Sequence, residues 1–354
     1  MGTSLRPRRT QDTVRIDGIA VADGALWVFH SPETRGLSST PPNRPPAAGR
    51  PAATGVLSRF DLASSRFVAR TPIEDPGIDS AGSPACGTGR AVGTAGSAVW
   101  VALWLHVFRV DPKTNAIAQE IAVTCPAAMH STPRPFRPGR FGVWLACGSE
   151  PRRKGSSNEL RGALRRVDTD SAAVVADILL PSTPGEMYED MDRVWATEDV
   201  YGRKQCWLNE IDLGASRVVR SVLLGSFECR KVVVAGGEAW MLRGPIRRGV
   251  IVKVDIATGT IRATIRLPED RYATDVAVAG DTVWVSMAPR WQSPPMTGDF
   301  GSTGVLVTID RPTGRTRRII PTGVTTRLAA VDGDTAWLYD SSGAIVRVRD
   351  RGRP

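Results

Sequence analysis

Seven short segments of the chain repeat one pattern, and this repeat limits the folds that are open to the sequence. Each segment alternates apolar and polar residues, crosses a turn rich in Gly or Asp, and ends in a hydrophobic–Trp pair. The marker tryptophans are Trp27, Trp100, Trp144, Trp195, Trp240, Trp284 and Trp337. Alternation on both sides of a short Gly/Asp turn is typical of a β-hairpin. We interpret the hairpins as strands A and B of seven repeated units.

A second mark follows the hairpin in six of the units. An apolar run ends in an aspartate and is followed by turn residues, at Asp61, Asp111, Asp168, Asp212, Asp255 and Asp310. An aspartate side chain can bond to the backbone two residues on, and Gly259 and Gly314 can supply a positive φ. We therefore expect a turn between strands C and D at each aspartate.

Together the two marks predict an all-β protein, a seven-bladed β-propeller with four-stranded antiparallel blades. Internal repetition allows a single domain over residues 1–354, because each blade packs against its neighbours instead of around one central core. The last blade reaches Asp350 without a strand D of its own. We expect the N-terminal strand, at about residues 5–10, to complete that blade and close the ring without an open sheet edge.

The strand around Val283-Trp284-Val285 and the Ile-Asp-x-x-Thr-Gly turn at residues 309–314 resemble those of the YVTN and virginiamycin-B-lyase-like propellers. The resemblance covers the whole chain in architecture and implies the propeller fold. In the lyases it implies elimination chemistry by histidines of the later blades with an acidic partner and magnesium. Blades four to seven of this chain contain no histidine, so that mechanism does not transfer residue by residue. At most, His30, His130 and Glu189 would replace it from the other half of the ring.

The long insertions in the sequence are concentrated at one end of the blades. The D–A and B–C connections share this end, which we call the connection end, and the A–B and C–D turns form the opposite turn end. Long insertions lie in the B–C connections of blades one, three and six, at residues 30–54, 148–162 and 287–303. Pro-rich loops of this length are either disordered segments or lids over a pocket. Their concentration at one end favours a functional connection end.

The residue ten positions before each marker tryptophan is expected at this end, beside the axis. These residues are Asp17, Arg90, Arg134, Gly185, Arg230, Thr274 and Arg327. Four arginines around one mouth would focus positive potential and bind an anionic small molecule. The alternative is that they pair with acids such as Asp17, Glu189 and Asp275. The net charge is +10, and only five of the 46 basic residues are lysine. This excess of arginine reflects either a general compositional bias or arginines that bind carboxylate or phosphate groups.

Candidate catalytic residues are few, because the chain has three histidines. His30 ends strand B of blade one, and His130 lies in the connection into blade three. Tyr188 and Glu189 belong to a cluster that we place at the start of blade four. A histidine beside a carboxylate is the usual acid–base arrangement, so we predict His130 with Glu189 as a catalytic pair and His30 and Tyr188 as further candidates.

Two other residues are assigned by their register. His106 is expected in the core, since it lies between apolar residues of a strand C. Trp291 is off register in the blade-six insertion, and we predict that it forms a wall of the ligand site.

Two function classes follow. The first is a lyase- or cyclase-type enzyme acting on an anionic small molecule at the connection end. The alternative is a non-catalytic binding or scaffold propeller that uses the same end for a protein or peptide partner. A flat end with exposed apolar loops would favour a partner, and a deep channel lined by histidine, carboxylate and arginine would favour chemistry.

Other classes are disfavoured by spacing and composition. Five cysteines without a CxxC pair argue against a zinc site and a complete disulfide framework; free thiols are expected, with a Cys86–Cys125 bridge as the alternative. Ligand spacing supports no metal, and the cofactor is unknown. Nucleic-acid binding lacks its aromatic-plus-basic signature. The longest apolar run, residues 98–105, is too short to cross a membrane, and we see no N-terminal signal, so a cytoplasmic location is expected.

Overall fold

The computed structural model describes sixteen stretches of the chain, and everything below refers to them. They are residues 4–5, 14–32, 55–74, 90–103, 106–123, 136–148, 162–180, 183–190, 193–200, 205–225, 231–243, 249–269, 271–289, 304–323, 326–340 and 345–350. Within these stretches there are 28 strands and no helix. The same stretches accordingly offer no helical segment able to cross a membrane.

The strands form seven antiparallel four-stranded sheets, which we number as blades in chain order. Blade one contains β2 (Val14–Ala22), β3 (Ala25–Pro32), β4 (Gly55–Asp61) and β5 (Arg66–Ile73). Blade two contains β6 (Arg90–Ala95), β7 (Ala98–Leu103), β8 (His106–Asp111) and β9 (Ala116–Ala122). Blade three contains β10 (Phe136–Gly139), β11 (Gly142–Gly148), β12 (Gly162–Val167) and β13 (Val174–Leu180).

The remaining blades follow the same order. Blade four contains β14 (Thr183–Asp190), β15 (Arg193–Val200), β16 (Gln205–Asp212) and β17 (Arg217–Gly225). Blade five contains β18 (Lys231–Ala235), β19 (Glu238–Arg243), β20 (Val250–Asp255) and β21 (Ile261–Arg266). Blade six contains β22 (Arg271–Ala279), β23 (Thr282–Pro289), β24 (Val305–Asp310) and β25 (Thr316–Pro321). Blade seven contains β26 (Thr326–Asp332), β27 (Thr335–Asp340), β28 (Ile345–Arg349) and the N-terminal β1 (Ser4–Leu5).

The predicted closure of the ring is confirmed. β1 pairs antiparallel with β28, with Ser4 opposite Val346 and Leu5 opposite Ile345. The closing strand is shorter and earlier than the 5–10 that we expected, and residues 6–13 lie outside the described stretches. The inner strands β2, β6, β10, β14, β18, β22 and β26 contact one another in this order, and β26 contacts β2. The seven blades therefore form one closed propeller.

The marker tryptophans occupy one register in all seven blades. Each pairs with the strand A residue seven positions before it, as Ala20 with Trp27 and Ala330 with Trp337. All seven side chains are buried, and five of them are fully buried. An aromatic side chain of this size contributes much of the apolar area that neighbouring blades bury. The marker tryptophans are therefore core residues of the blades.

The C–D turns also form as predicted. Asp61 accepts hydrogen bonds from the backbone N–H of Ser64 (2.6 Å) and from its hydroxyl. Each of the other five aspartates accepts from a backbone N–H two or three residues further on. Gly259 and Gly314 have the expected positive φ values of 70° and 69°. These bonds stabilise the ionised carboxyl and lower the pKa values of Asp61, Asp111, Asp168 and Asp310. The pKa of Asp255 is lowered first by the Arg262 side chain and then by the turn bond from Thr258 N–H.

Cations hold neighbouring blades together at the turn end. The guanidinium of Arg59 lies over Trp27, 5.5 Å from the ring centroid, and donates to the carbonyl of Pro112 in the next blade (2.9 Å). Lys253 repeats this arrangement over Trp240 (5.3 Å) with the carbonyl of Arg311 (3.0 Å). A cation over an aromatic face contributes about 0.5–2 kcal/mol. Part of the basic composition therefore serves the fold.

Candidate functional site

Several predicted site residues lie outside the described part of the chain. His130, Arg134, Arg230 and Trp291 fall in connections that the structure does not describe. The backbone of Arg90 begins β6, and its side chain is likewise outside the description. The catalytic pair that includes His130 and the complete four-arginine mouth therefore stay predictions.

The expected position of Glu189 at the start of blade four is wrong. β14 begins at Thr183, and Glu189 is its penultimate residue, so it lies at the turn end. Its carboxylate accepts hydrogen bonds from the backbone N–H groups of Arg140 (2.5 Å) and Phe141 (3.1 Å) in the A–B turn of blade three. Glu189 thus joins two blades, and nothing in this geometry supports an acid–base role.

The two neighbours of Glu189 have structural positions as well. Asp190 accepts from the backbone N–H groups of Gly236 (2.7 Å) and Gly237 (2.9 Å) in the A–B turn of blade five. Tyr188 is buried in the core cluster that blade four shares with blade five. Consecutive acids of blade four therefore bind the turns of the two neighbouring blades, and the cluster predicted as functional stabilises the ring.

His30 is placed at the connection end, as predicted. Its Nε2 lies 3.0 Å from the hydroxyl of buried Ser58 on β4. Burial lowers the pKa of His30, and the positive charge of Arg70 lowers it further. The imidazole is therefore neutral near pH 7, which is the form that accepts a proton.

Blade four carries an equivalent polar pair at the same register. Glu198 is three residues after its marker tryptophan, as His30 is, and its Oε2 accepts from Asn209 Nδ2 (2.8 Å). Asn209 Oδ1 accepts in turn from the Ser221 hydroxyl (2.6 Å). Glu198 and Asn209 are both buried. Burying a carboxylate is costly unless hydrogen bonds compensate it, so this chain of bonds fixes a polar network across strands B, C and D.

The inner strands of blades four to six present an ionic triad at the connection end. Lys231 Nζ lies 2.9 Å from Glu186 Oε1 and 3.8 Å from Asp275 Oδ1. All three residues are nine positions before their marker tryptophans, in consecutive blades. Their side chains are 36%, 21% and 25% exposed respectively. The triad is thus accessible to a ligand around the axis.

β-Bulges shape the strands that carry the two acids. The bulge of β14 contains Gly185 and Glu186, and the bulge of β22 contains Thr274. The Thr197 hydroxyl accepts from Glu186 N–H (2.7 Å) and donates to its carbonyl (3.1 Å). A Cβ on Gly185 would lie 2.5 Å from that hydroxyl, so glycine is needed there. Bulges commonly re-aim side chains next to functional sites.

Further cations and one acid line the same end. Arg271 is the first residue of β22 and Arg327 the second residue of β26, with an exposed side chain. Asp17 is half-buried in the bulge of β2. Asp275, which the alternative interpretation names as an arginine partner, lies 3.8 Å from Lys231. Blades five, six and seven therefore each bring a cation to the first two residues of the inner strand.

Two cysteine and histidine expectations need correction. Cys206 at the connection end of blade four is disulfide-bonded, so the free thiol expected there is wrong. His106 is half-buried, and its Nδ1 lies 2.8 Å from Glu120 on the neighbouring strand, so it is not a purely apolar core residue. Among the described residues, no group of three or more His, Cys, Asp or Glu side chains is arranged to hold a metal.

Some of the residues that form these polar contacts have a signal in the sequence, and others have none. Glu198 has the same position after its marker tryptophan as His30. No sequence pattern identifies Asn209, because its hydrogen bond to Glu198 joins two different strands. Lys231 is one position after Arg230, and so outside the register from which the cations of the mouth were predicted. A comparison of the position nine before each tryptophan would have found the triad, since the other four blades carry Gly18, Ala91, Pro135 and Leu328 there.

Comparison with known proteins supports the fold. No protein-family model and no curated protein sequence matches the chain. Hydrazine synthase of Kuenenia stuttgartiensis matches with a TM-score of 0.59 and 14% identity over 97% of both chains. Sqt1 of Saccharomyces cerevisiae gives 0.52 and 8%, again over 97% of both chains. BamB of Moraxella catarrhalis gives 0.49 and 13% over 95% of this chain and 83% of that one. At such identities the likeness to hydrazine synthase and Sqt1 shows the β-propeller fold alone.

Proposed function

We propose that the connection end binds an anionic small molecule around the axis, and that the protein is an enzyme of the lyase or cyclase type. One observation carries the anion site. In three consecutive blades the first or second residue of the inner strand is a cation, namely Lys231, Arg271 and Arg327. Cations grouped between low-dielectric walls focus their potential and attract a negatively charged ligand.

The catalytic part of the proposal depends on His30. Blade one is the ring neighbour of blade seven, which carries Arg327. A neutral imidazole beside a bound anion is suited to accept a proton from it. The pKa of His30 is lowered by burial, which supports this form at neutral pH. His30 thus takes the acid–base role that the His130–Glu189 pair was expected to fill.

The anion site is tested by binding of citrate and inorganic phosphate to the wild type, Arg327→Ala and Arg315→Ala. Arg315 is a matched control, since it is an exposed arginine in the C–D turn of blade six, at the turn end. We expect Arg327→Ala to weaken binding about fivefold to tenfold and Arg315→Ala to leave it unchanged. Equal affinities of all three proteins would refute the site and leave the partner-binding alternative.

The catalytic role has a separate test. Once a turned-over substrate is known, His30→Gln should lower kcat by roughly two orders of magnitude while Arg327→Ala acts mainly on KM. Unchanged turnover by His30→Gln would leave an anion-binding propeller without this acid–base residue.

A further inference from the structure

We infer that Arg70 binds a carboxylate or phosphate group beside the His30 imidazole, on the face of blade one that packs against blade seven. The inference rests on the acid–base role proposed for His30 and adds a ligand-binding residue next to it. It starts from a row of side chains that crosses β3, β4 and β5. In this row Val28 lies opposite Ser58, and Ser58 lies opposite Arg70.

The members of the row share one face of the blade. Residues that lie directly opposite each other in antiparallel strands point to the same side, with Cβ atoms about 4.5–5.5 Å apart. Val28 belongs to the core cluster that blade one shares with Trp337 of blade seven, so Ser58 and Arg70 lie on that side too. His30 is two residues after Val28 and has the same orientation, and its Nε2 lies 3.0 Å from Ser58 Oγ. Imidazole, hydroxyl and guanidinium therefore follow one another across adjacent strands.

The charge of Arg70 has no counter-charge among the described residues of its blade. The equivalent position on strand D is charged in two other blades, and there it is paired. Glu120 lies 2.8 Å from His106 Nδ1, and Asp177 lies 2.7 Å from Arg165 Nε. In the remaining blades the position holds Ser4, Ser221, Thr264 and Ile319. Within the described stretches no carboxylate pairs with Arg70, and its side chain is exposed, so its charge can meet a ligand.

Blade four has a polar row at the same three positions, and the comparison shows what differs in blade one. Glu198 takes the position of His30 and accepts from Asn209. Asn209 accepts in turn from Ser221, which takes the position of Arg70. The strand D residue of blade four is thus bonded within its own row. In blade one the strand D residue is an exposed cation instead.

The chemistry of the row suits an oxyanion. A guanidinium binds carboxylate and phosphate groups through two parallel N–H donors. A ligand held in this way by Arg70 presents its neighbouring atoms to the imidazole of His30. The buried Ser58 hydroxyl holds the imidazole between the two outer strands. Arg70 therefore serves as a binding residue for the anionic group, and His30 remains the residue that takes the proton.

The imidazole also gives a direct measure of binding at Arg70. Burial is the main cause of the lowered pKa of His30, and the charge of Arg70 is the second. The other ionisable side chains near this end of the row are Asp17 in the β2 bulge and Tyr339 and Arg327 of blade seven. None of them is paired with Arg70. An anion bound to Arg70 cancels its charge, so it should raise the pKa of His30.

The test follows the ring signals of His30 by NMR during a pH titration. Phosphate and citrate are compared with sodium chloride at the same ionic strength, and His30→Gln identifies the signals among the three histidines of the chain. In the wild type, at least one of the two anions should raise the pKa of His30, and the one that does so names the bound group. Arg70→Gln should raise this pKa without any anion and abolish the response. It should also weaken anion binding, measured by calorimetry, about fivefold to tenfold. Arg70→Lys keeps the charge and should retain most of the response.

The matched control is Arg66→Gln, which removes an exposed arginine from the turn end of the same strand and should change nothing. If Arg66→Gln acts as Arg70→Gln does, or if neither anion moves the His30 signals, the inference is overturned, while the proposed site stands as long as Arg327→Ala weakens binding. If Arg70→Gln weakens binding and Arg327→Ala does not, the inference stands and the axial site is refuted. If neither anion binds the wild type, both are overturned. Thermal unfolding confirms that the variants are folded.

Discussion

The two ends of the propeller use the same residue types for different purposes. At the turn end, charged side chains join neighbouring blades: Glu189 and Asp190 accept from backbone turns on both sides, and Arg311 contacts the carbonyl of Ala235 and the carboxylate of Glu238 in blade five. At the connection end, Lys231 contacts both Glu186 and Asp275, and all three side chains remain partly exposed. Charge at the turn end is part of the framework, and charge at the connection end is available to a ligand.

The contrast teaches that residue type alone does not identify a site in a repeat protein. Glu186 and Glu189 lie three residues apart on one inner strand, yet one lies in the bulge near the axis mouth and the other caps a turn. What separates them is position along the blade. The end on which a charge falls therefore has to be determined before a role is assigned to it.

The largest effect is expected from the crosslink at the connection end. Cys206→Ser removes a disulfide, which typically stabilises a protein by about 2–4 kcal/mol. Chemical denaturation with and without reductant measures this loss, and the wild type in reductant should behave like the variant. If reductant changes neither the mass nor the stability of the wild type, the disulfide is contradicted. Stable disulfides are rare in the reducing cytosol, so a confirmed crosslink would conflict with the expected cytoplasmic location.

At the turn end, Asp190→Ala should destabilise the protein by roughly 2 kcal/mol, because two backbone N–H groups of blade five lose a charged acceptor. Asp332→Ala is the control, since Asp332 ends the inner strand of blade seven in the same way. We expect less than about 0.5 kcal/mol there. The free energy of unfolding is measured with urea. Similar losses of stability in both variants would show that the bonds from Asp190 to blade five make no particular contribution.

Arg311→Ala tests whether turn-end arginines are structural. The guanidinium contacts Glu238 (3.2 Å) and the carbonyls of Ala235 (2.9 Å) and Gly280 (3.3 Å), so its removal should cost about 1–2 kcal/mol. Arg315→Ala in the same turn should cost less than about 0.5 kcal/mol. Equal unfolding midpoints for the two variants would refute the assignment.

The smallest loss of stability per residue is expected when the pH is lowered and the C–D aspartates are protonated. The folded-state pKa values of five C–D aspartates are lowered, namely those of Asp61, Asp111, Asp168, Asp255 and Asp310. The pKa of Asp310 is about 2 because of the Thr313 hydroxyl and then Arg317. The stabilisation by these aspartates is complete above the unfolded pKa and is lost as pH falls through the folded values, between about pH 4 and 2. Thermal unfolding across this range should show the loss, and Asp310→Asn should flatten its final part. A curve unchanged by the substitution would contradict the contribution of Asp310.

The fold could be predicted because its signals are local and repeated. The tryptophan register and the Asp turns each depend on neighbours within a few residues, and the repeat multiplies them. The ring closure followed from the missing strand in the last blade. The site was harder to predict, because the role of Glu189 depends on its position along the strand. The cluster that contains Tyr188 and Glu189 was expected at the start of blade four, whereas these residues lie near the turn end. The bonds between Glu198 and Asn209, and between Lys231 and Asp275, join residues whose contact depends on register and on the packing of separate blades.

The most direct test compares two glutamates of β14 by two measurements on each variant, the free energy of unfolding and the affinity for citrate. Glu189→Gln should lose stability and bind citrate as the wild type does. Glu186→Gln should keep its stability and bind citrate more tightly. If instead Glu189→Gln alters binding at unchanged stability, or Glu186→Gln only destabilises, the division between a structural turn end and a functional connection end is wrong.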